Sequence, residues 1–168
     1  VTDVFVYTAD GATANLTITV TGINDAPVAT NDTGSVNEDA TLSVSNGSGD
    51  IIDNNDTDAD DSASLVVSAV RIGGVEDSGT AGTVGQALTG TYGQLTLNAN
   101  GSYSYVANQD AADDLDASDQ VTDVFNYTLS DGTATDTATI TITVTGINDA
   151  PVADNETGAV NEDATLTV

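Results

Sequence analysis

The sequence predicts an all-β chain built from antiparallel β-sandwich repeats in tandem. Apolar and polar residues alternate over short runs, and turn residues such as Gly, Asn and Asp separate these runs about every 8–12 residues. No stretch has the apolar spacing of a helix. Long stretches of sequence also occur twice, which indicates more than one copy of the same unit.

Residues 1–25 have the pattern of a β-hairpin. Two alternating runs flank the turn residues Asp10 and Gly11, and such a pair is a strong signal for a tight turn between strands. Because an isolated hairpin is only marginally stable in water, it needs a partner: the central unit, a neighbouring molecule or the rest of a longer array. The alternating apolar residues of the hairpin are Phe5, Tyr7, Leu16, Ile18 and Val20.

The central segment is a series of strands joined by polar loops. Two of these loops, Gly47–Asp61 and Asp110–Asp119, are rich in Asp, and the first contains Ile51-Ile52 as a small apolar plug. Most of the seven aromatic residues lie in alternating strands and are expected in the core. The expected strands are one or two within Ser35–Ser45, then Ser64–Ile72, Ala87–Tyr92, Gln94–Asn98, Ser102–Ala107, Thr122–Leu129 and Thr135–Thr145.

The ten residues Val144–Ala153 mark the boundary of the repeat, because the same motif stands at Val20–Ala29. Val1–Phe5 recurs 120 residues later, whereas Val36–Leu42 recurs 124 residues later. We therefore expect a piece of a longer array. Its predicted parts are the final hairpin of a preceding repeat (1–25), a complete repeat (26–149) and the beginning of the following repeat (150–168).

The chain carries 27 acidic residues and one basic residue, Arg71, for a net charge of −26. Such a chain is not expected to bind nucleic acid or to contact a membrane directly, because both surfaces require basic patches. It also repels itself, so an ordered fold indicates screening by metal ions or by a salty environment. The absence of cysteine and lysine excludes disulfides and Lys–Asn isopeptide bonds, which leaves hydrophobic packing and metal as stabilisers.

The sequence is poorly supplied for catalysis. It has no His and no Cys, which removes the usual general bases, thiol nucleophiles and zinc ligands. Paired carboxylates leave a glycosidase open, but no aromatic cluster marks a platform for a sugar. We therefore expect a protein that is not an enzyme.

The loop Asp56–Asp61 offers carboxylates at its first, third and fifth positions. On an extended backbone this spacing directs them to one side, and Ca²⁺ takes about six to eight oxygen ligands. The loop is not an EF-hand, because Asp61 and Val67 stand where that motif has Gly and Glu. A solvated acidic loop is the alternative interpretation. The Asn-Asp joints at both ends and the position of Glu38 favour a metal site.

Several motifs follow one another in order: Asn-Asp-Ala-Pro-Val, Asn-Glu-Asp, Asn-Asp-Thr-Asp-Ala-Asp and Phe-Asn-Tyr-Thr-Leu-Ser-Asp-Gly. Together they span essentially the whole chain and resemble the VCBS-type, cadherin-like repeats of giant bacterial RTX adhesins. In that family the repeats are extracellular, immunoglobulin-like β-sandwiches joined end to end with calcium at the joints. The resemblance implies a place at the bacterial cell surface, Ca²⁺ as the bound ion and neighbouring repeats of the same chain as partners.

The resemblance also implies two calcium sites, one at each joint. The second site should be weaker or incomplete, because the acidic loop lacks the cadherin Asp-x-Glu and no Asp-x-Asp loop follows the second joint. The implied ligands of the first site are Asn24, Asp25, Asp58, Asp60 and Asp131. Those of the second site are Glu38, Asp116, Asn148 and Asp149, with Asp114 or Asp119 as further candidates.

These features predict a calcium-stiffened structural extender of a secreted bacterial adhesin, which projects a distal binding domain. The alternative is an adhesion module that itself binds carbohydrate or ice. The alternating threonines of Ala138–Thr145 would suit an ice-binding array, although a strand with one solvated face explains them more simply. We also consider that the N-terminal hairpin of one molecule meets the trailing segment of another, head to tail.

Overall fold

We describe the protein from a computed structural model, which describes residues 1–47, 49–53, 55–60, 64–151, 153–163, 165 and 167. Within these residues the elements are β1 (Thr2–Ala9), β2 (Ala12–Thr19), β3 (Asp32–Asn37), β4 (Thr41–Val44), β5 (Val66–Ile72), β6 (Ala87–Thr89), β7 (Gln94–Leu97), β8 (Tyr103–Val106), α1 (Asp110–Asp113), β9 (Gln120–Ser130) and β10 (Thr135–Thr145). Strands β1 and β2 form a sheet of their own, and the other strands form two four-stranded sheets.

The two four-stranded sheets bury a common core, which confirms the predicted β-sandwich. Their strand orders are β3-β10-β9-β5 and β4-β8-β7-β6. In β10 the apolar residues face inward and the threonines between them lie on the half-buried outer face, as period-two alternation predicts. The core includes Phe125, Tyr127, Leu129, Ile140, Ile142 and Val144 from the first sheet and Leu95, Leu97, Tyr103 and Tyr105 from the second.

One edge of the first sheet departs from purely antiparallel pairing. Strand β3 runs parallel to β10, from the pair Asp32 and Ile140 to the pair Asn37 and Thr145. Strand β4 then pairs in the other sheet, so the chain crosses the sandwich directly after β3. Because β3 and β10 point the same way, the chain enters the sandwich at one end and leaves it at the other.

The expectation of strands and loops alone is wrong at one place. Asp110–Asp113 form a single helical turn, in which the N–H of Ala112 donates to the carbonyl of Gln109 at 2.7 Å. Ala112 is buried and anchors this turn against the core. Four residues are too few to show a helical period in the sequence.

The expected strand Ala87–Tyr92 is shorter than predicted, since β6 ends at Thr89. The cause is the buried carboxylate of Asp123, which accepts hydrogen bonds from the backbone N–H groups of residues 91–93 at 2.9–3.1 Å. The same carboxylate accepts the hydroxyl proton of Tyr105 at 2.6 Å. These bonds turn the chain away from the sheet before β7 begins.

The N-terminal hairpin forms as predicted, with Phe5 opposite Leu16 and the turn at Asp10 and Gly11. All residues of both strands are exposed. Phe5 and Tyr7 are 53% and 54% exposed, so the expectation that aromatic residues fill the core is wrong for this pair. It is right for the aromatic residues at 103, 105, 125 and 127, which are buried.

Candidate metal centres at the two ends of the sandwich

The structure brings the first group of predicted ligands together where the chain enters the sandwich. The Asn24 amide Nδ2 donates to a carboxylate oxygen of Asp131 at 2.9 Å. The backbone N–H of Asp25 donates to Asp60 at 2.9 Å, and the N–H of Asp60 donates to Asp58 at 2.7 Å. Direct bonds therefore link the joint to the acidic loop and to the turn between β9 and β10.

The acidic loop lies here because its backbone pairs with the entering chain. Val28 and Thr57 exchange two backbone hydrogen bonds, of 2.8 and 3.1 Å. The N–H of Thr30 donates to Asp56 at 2.7 Å. Burial, reinforced by the charge of Asp32, raises the pKa of Asp56 to about 6. The loop thus places negatively charged carboxylates where burial reduces their solvation by water.

Asp131 stays strongly acidic in the β9–β10 turn. Its Oδ1 accepts the backbone N–H groups of Ala134 and Thr133 at 2.7 and 2.6 Å. These bonds and the bond from Asn24 lower its pKa below the ordinary value. An Asp that closes its own turn in this way is held in place while it keeps its charge.

The second group lies at the opposite end, where β10 ends. Glu38 follows β3, and the parallel pairing brings it beside the residues that follow β10. Its side chain is 1% exposed, and its Oε1 accepts the backbone N–H of Ile147 at 2.5 Å. The next two residues along the chain are Asn148 and Asp149. A buried carboxylate is therefore fixed directly at the second joint.

The acidic loop after α1 is held against this joint by its backbone. Gly146 accepts a hydrogen bond from the N–H of Ser118 at 3.0 Å and donates one to the carbonyl of Asp119 at 2.9 Å. A Cβ at position 146 would lie 2.3 Å from the carbonyl oxygen of Asp116, so only Gly fits. The resulting open pocket is lined by Asp113, Asp114, Leu115, Asp116, Ala117, Ile147, Asn148 and Asp149.

Asp113 is an acidic residue of this pocket that the sequence analysis did not single out. Desolvation, together with the charges of Asp39, Asp110 and Asp149, raises its pKa. The run of carboxylates from 110 to 116 was visible in the sequence. Which of them turn toward the joint depends on the helical turn α1, and that turn was not predicted.

Two buried side-chain oxygens have no hydrogen-bond partner within the described part of the chain: Oε2 of Glu38 and Oδ2 of Asp58. Both belong to predicted calcium ligands, one at each end of the sandwich. An unpaired buried polar group costs about 1–3 kcal/mol, and more if it is charged. Carboxylate, amide and carbonyl oxygens are the donors that Ca²⁺ prefers, so the chemistry of both groups fits that ion.

The arrangement does not amount to a finished coordination sphere. Within the described ranges, no group of three or more acidic side chains stands in an arrangement that could hold a metal ion. The nine predicted ligands thus lie in two groups, five at one end and four at the other, and their role in coordination stays a prediction.

The sandwich fold, with acidic groups at its two ends, defines an immunoglobulin-like structural or adhesion module. The family model of the bacterial cadherin-like domain matches residues 24–146, and the chain belongs to that family. Domains of this kind generally bind calcium, form a non-catalytic structural or adhesion fold and suggest an extracellular or surface protein. No curated protein matches the chain.

No helix in the described residues is both long enough and apolar enough to cross a membrane.

Proposed function

We propose that this chain is a calcium-stiffened structural extender repeat of a secreted bacterial surface adhesin, which holds a distal binding domain away from the cell. The observation that carries the proposal is the pair of unpartnered buried oxygens on Glu38 and Asp58. Each belongs to a carboxylate at one end of the sandwich, beside an Asn-Asp joint. Family membership and the duplicated joint sequence support the same function.

Calcium would be held at the first joint by Asn24, Asp25, Asp58, Asp60 and Asp131, and at the second by Glu38, Asp116, Asn148 and Asp149. Asp113 and Asp114, which share the second pocket, would add charge there. The ion would supply positive charge to a chain with a net charge of −26, in which acidic ends otherwise repel one another. Its second effect would be to join the linker to loops on either side of it.

A bound ion would stiffen the first joint because few other contacts restrain the linker there. Ile23 in the first linker is 82% exposed, so its side chain contributes little apolar packing there. The bonds from the Asn24 amide to Asp131 and from the backbone N–H of Asp25 to Asp60 are exposed to water, where single hydrogen bonds contribute only about 0.5–1.5 kcal/mol each. An ion that replaces these weak bonds by several oxygen ligands would restrict the swing of one repeat against the next.

The distance between two spin labels measures how far the hairpin moves relative to the sandwich. The chain has no cysteine, so Thr8→Cys in the hairpin and Thr89→Cys in the sandwich allow two spin labels without background. We expect a broad distance distribution in chelator and a narrow one in about 10 mM calcium, well above the dissociation constants of about 10⁻⁴–10⁻³ M usual for extracellular modules.

Two further variants identify the ligands in that experiment. Asp58→Asn in the labelled chain should keep the distribution broad at the same calcium concentration. Asp77→Asn makes the same substitution at an exposed residue and should leave the narrowing intact. Equal widths with and without calcium in the parent chain would refute the proposed stiffening.

A further inference from the structure

Several copies of the sequence Asn-x-Ser/Thr occur in the chain, and in secreted proteins the asparagine of this motif is an acceptor for N-linked sugars. Within the residues of the family match, the motif begins at Asn31, Asn46, Asn55, Asn100 and Asn126. The motif alone does not rank these copies, because all of them have the required residues. The hydrogen bonds of the side chains distinguish Asn31, Asn100 and Asn126.

Two of these asparagines use their side-chain amides to hold the fold together. Asn126 is 1% exposed, and its amide nitrogen donates to the carbonyls of Gly73 and Ser78 at 2.9 and 3.0 Å. The Oδ1 of Asn31 accepts the backbone N–H and the hydroxyl of Thr139 in β10, at 2.9 and 3.0 Å. A sugar on Asn126 would break buried bonds, and a sugar on Asn31 would disturb its bonds to the neighbouring strand.

Asn100 lies instead in the tight turn between β7 and β8, where residues 98–100 are exposed. The N–H of Gly101 donates to the carbonyl of Asn98 at 3.0 Å and closes the turn, and Gly101 has a φ of +87°. The hydroxyl and the backbone N–H of Ser102 donate to Oδ1 of Asn100 at 2.8 and 3.3 Å. Both donors therefore come from the third residue of the same motif.

This arrangement bears directly on the reactivity of the amide. An amide nitrogen is a poor nucleophile, because its lone pair is delocalised into the carbonyl group. When the nitrogen loses a proton, negative charge develops on the amide oxygen, and hydrogen-bond donors held at that oxygen stabilise it. In Asn100 the donors are two groups of Ser102 that the turn already holds in place. The turn thus favours the reactive form of this one amide.

We propose that Asn100 is an N-glycosylation site. Its amide nitrogen would attack the anomeric carbon of an activated sugar whose leaving group is a phosphate, as in a nucleotide-linked or lipid-linked donor. The new bond joins the nitrogen to the anomeric carbon, while the bond from that carbon to the phosphate oxygen breaks. The amide gives one proton to a base of the transferring enzyme, so the step needs neither an oxidant nor a reductant.

The sugar would stand at the end of the sandwich that carries the first joint. The N–H of Val67 donates to the carbonyl of Ala99 at 2.9 Å, and Val67 lies opposite Leu129 near the end of β9. Asp131 follows in the next turn. A sugar on Asn100 would therefore cover an exposed turn beside this joint. The proposed modification does not depend on calcium, so it can hold or fail separately from calcium stiffening.

The first test is peptide mass spectrometry of the protein isolated from the cells that naturally secrete it. We expect Asn100 to carry a sugar and both Asn31 and Asn126 to be unmodified. The mass of the modified peptide distinguishes a single sugar, typical of a nucleotide-linked donor, from the oligosaccharide of a lipid-linked donor. Trypsin is unsuitable, because the chain has no lysine and one arginine. Cleavage before aspartate separates the three asparagines into peptides 25–31, 77–109 and 123–130.

Variants expressed in the same cells test the role of the turn. Asn100→Gln should abolish the modification of peptide 77–109, and Ser102→Ala should abolish it by removing the hydroxyl donor. Ser102→Thr restores a hydroxyl and should keep the modification. Asn98→Ala is the matched control: it removes the bond of the Asn98 amide to the same hydroxyl, at 3.0 Å, but leaves the motif intact and should stay modified.

Three results would overturn the proposal. The first is an unmodified peptide 77–109 in the native protein. The second is equal occupancy at Asn100 and Asn126, which would mean that the sugar is added before folding and that the turn selects nothing. The third is a modification that persists in Ser102→Ala, since the hydroxyl donor would then play no part.

Discussion

Replacing Glu38 by Gln tests whether the unpartnered Oε2 of Glu38 is a calcium ligand. Glutamine has nearly the same size and keeps an acceptor for the N–H of Ile147, but it removes the charge and the free carboxylate oxygen. If the unpartnered Oε2 is a calcium ligand, the variant should fold and should lose the stabilisation that calcium provides at the second joint.

The size of that loss follows from linkage. An ion that binds only the folded chain stabilises it by RT ln(1 + [L]/Kd). This amounts to about 1.4–2.7 kcal/mol per site at about 10 mM calcium for dissociation constants of about 10⁻⁴–10⁻³ M. At about 4 °C per kcal/mol for a domain of this size, each site should raise Tm by about 6–11 °C.

Thermal unfolding followed by circular dichroism, in calcium and in chelator, measures the rise. We expect Glu38→Gln to lose the part of the calcium-dependent rise in Tm that the second site provides and to keep the part that the first site provides. Glu76→Gln removes the same charge from an exposed residue and should keep the full rise. If Glu38→Gln responds to calcium as the parent chain does, the inference from unpartnered oxygens to metal ligands is mistaken.

Asp123→Ala should destabilise the sandwich by about 3–5 kcal/mol in urea titrations, with or without calcium, because it leaves four donors without their acceptor, two of them in buried bonds; a loss below about 1 kcal/mol would contradict this. Gly146→Ala should weaken calcium binding measured by calorimetry, because its Cβ would displace the backbone of Asp116, and an unchanged affinity would count against the second site. The pKa of Asp56 is raised from 3.8 to about 6, so the carboxyl of Asp56 binds a proton more tightly in the folded chain than in the unfolded chain. This group therefore stabilises the fold below about pH 4 and loses that effect as the pH rises through 6. Asp56→Asn in chelator should therefore gain stability relative to the parent chain between pH 4 and 6, and a difference that is constant with pH would refute the shift.

Local patterns in the sequence predicted most of the sandwich. The turn at Asp10 and Gly11, the alternation around Phe125 and the isoleucines of β10 each specify structure through neighbours along the chain. The duplicated Asn-Asp motif marked both joints, and the structure links the residues there to acidic side chains by hydrogen bonds. These features depend on short-range rules, so one sequence suffices to find them.

The features that escaped prediction depend on contacts distant in sequence. The parallel pairing of β3 with β10 joins residues more than a hundred positions apart, and no turn between them sets the register. The same applies to Asp123, which ends β6 from about thirty residues away, and to the burial of Glu38. Asp113 was missed because its direction depends on a helical turn too short to leave a periodic pattern.

The parallel pairing of β3 and β10 also bears on how the chain would respond to tension. A pulling force applied through the two joints acts on the start of β3 and on the end of β10, which lie at opposite ends of this parallel pair. The two strands are hydrogen-bonded over the six residue pairs from Asp32–Ile140 to Asn37–Thr145. The force is therefore directed along these strands, so the bonds between them are sheared together instead of being unzipped one after another. A repeat built this way should yield only at high load, and single-molecule stretching would reveal a low rupture force if another part of the sandwich were the weakest element.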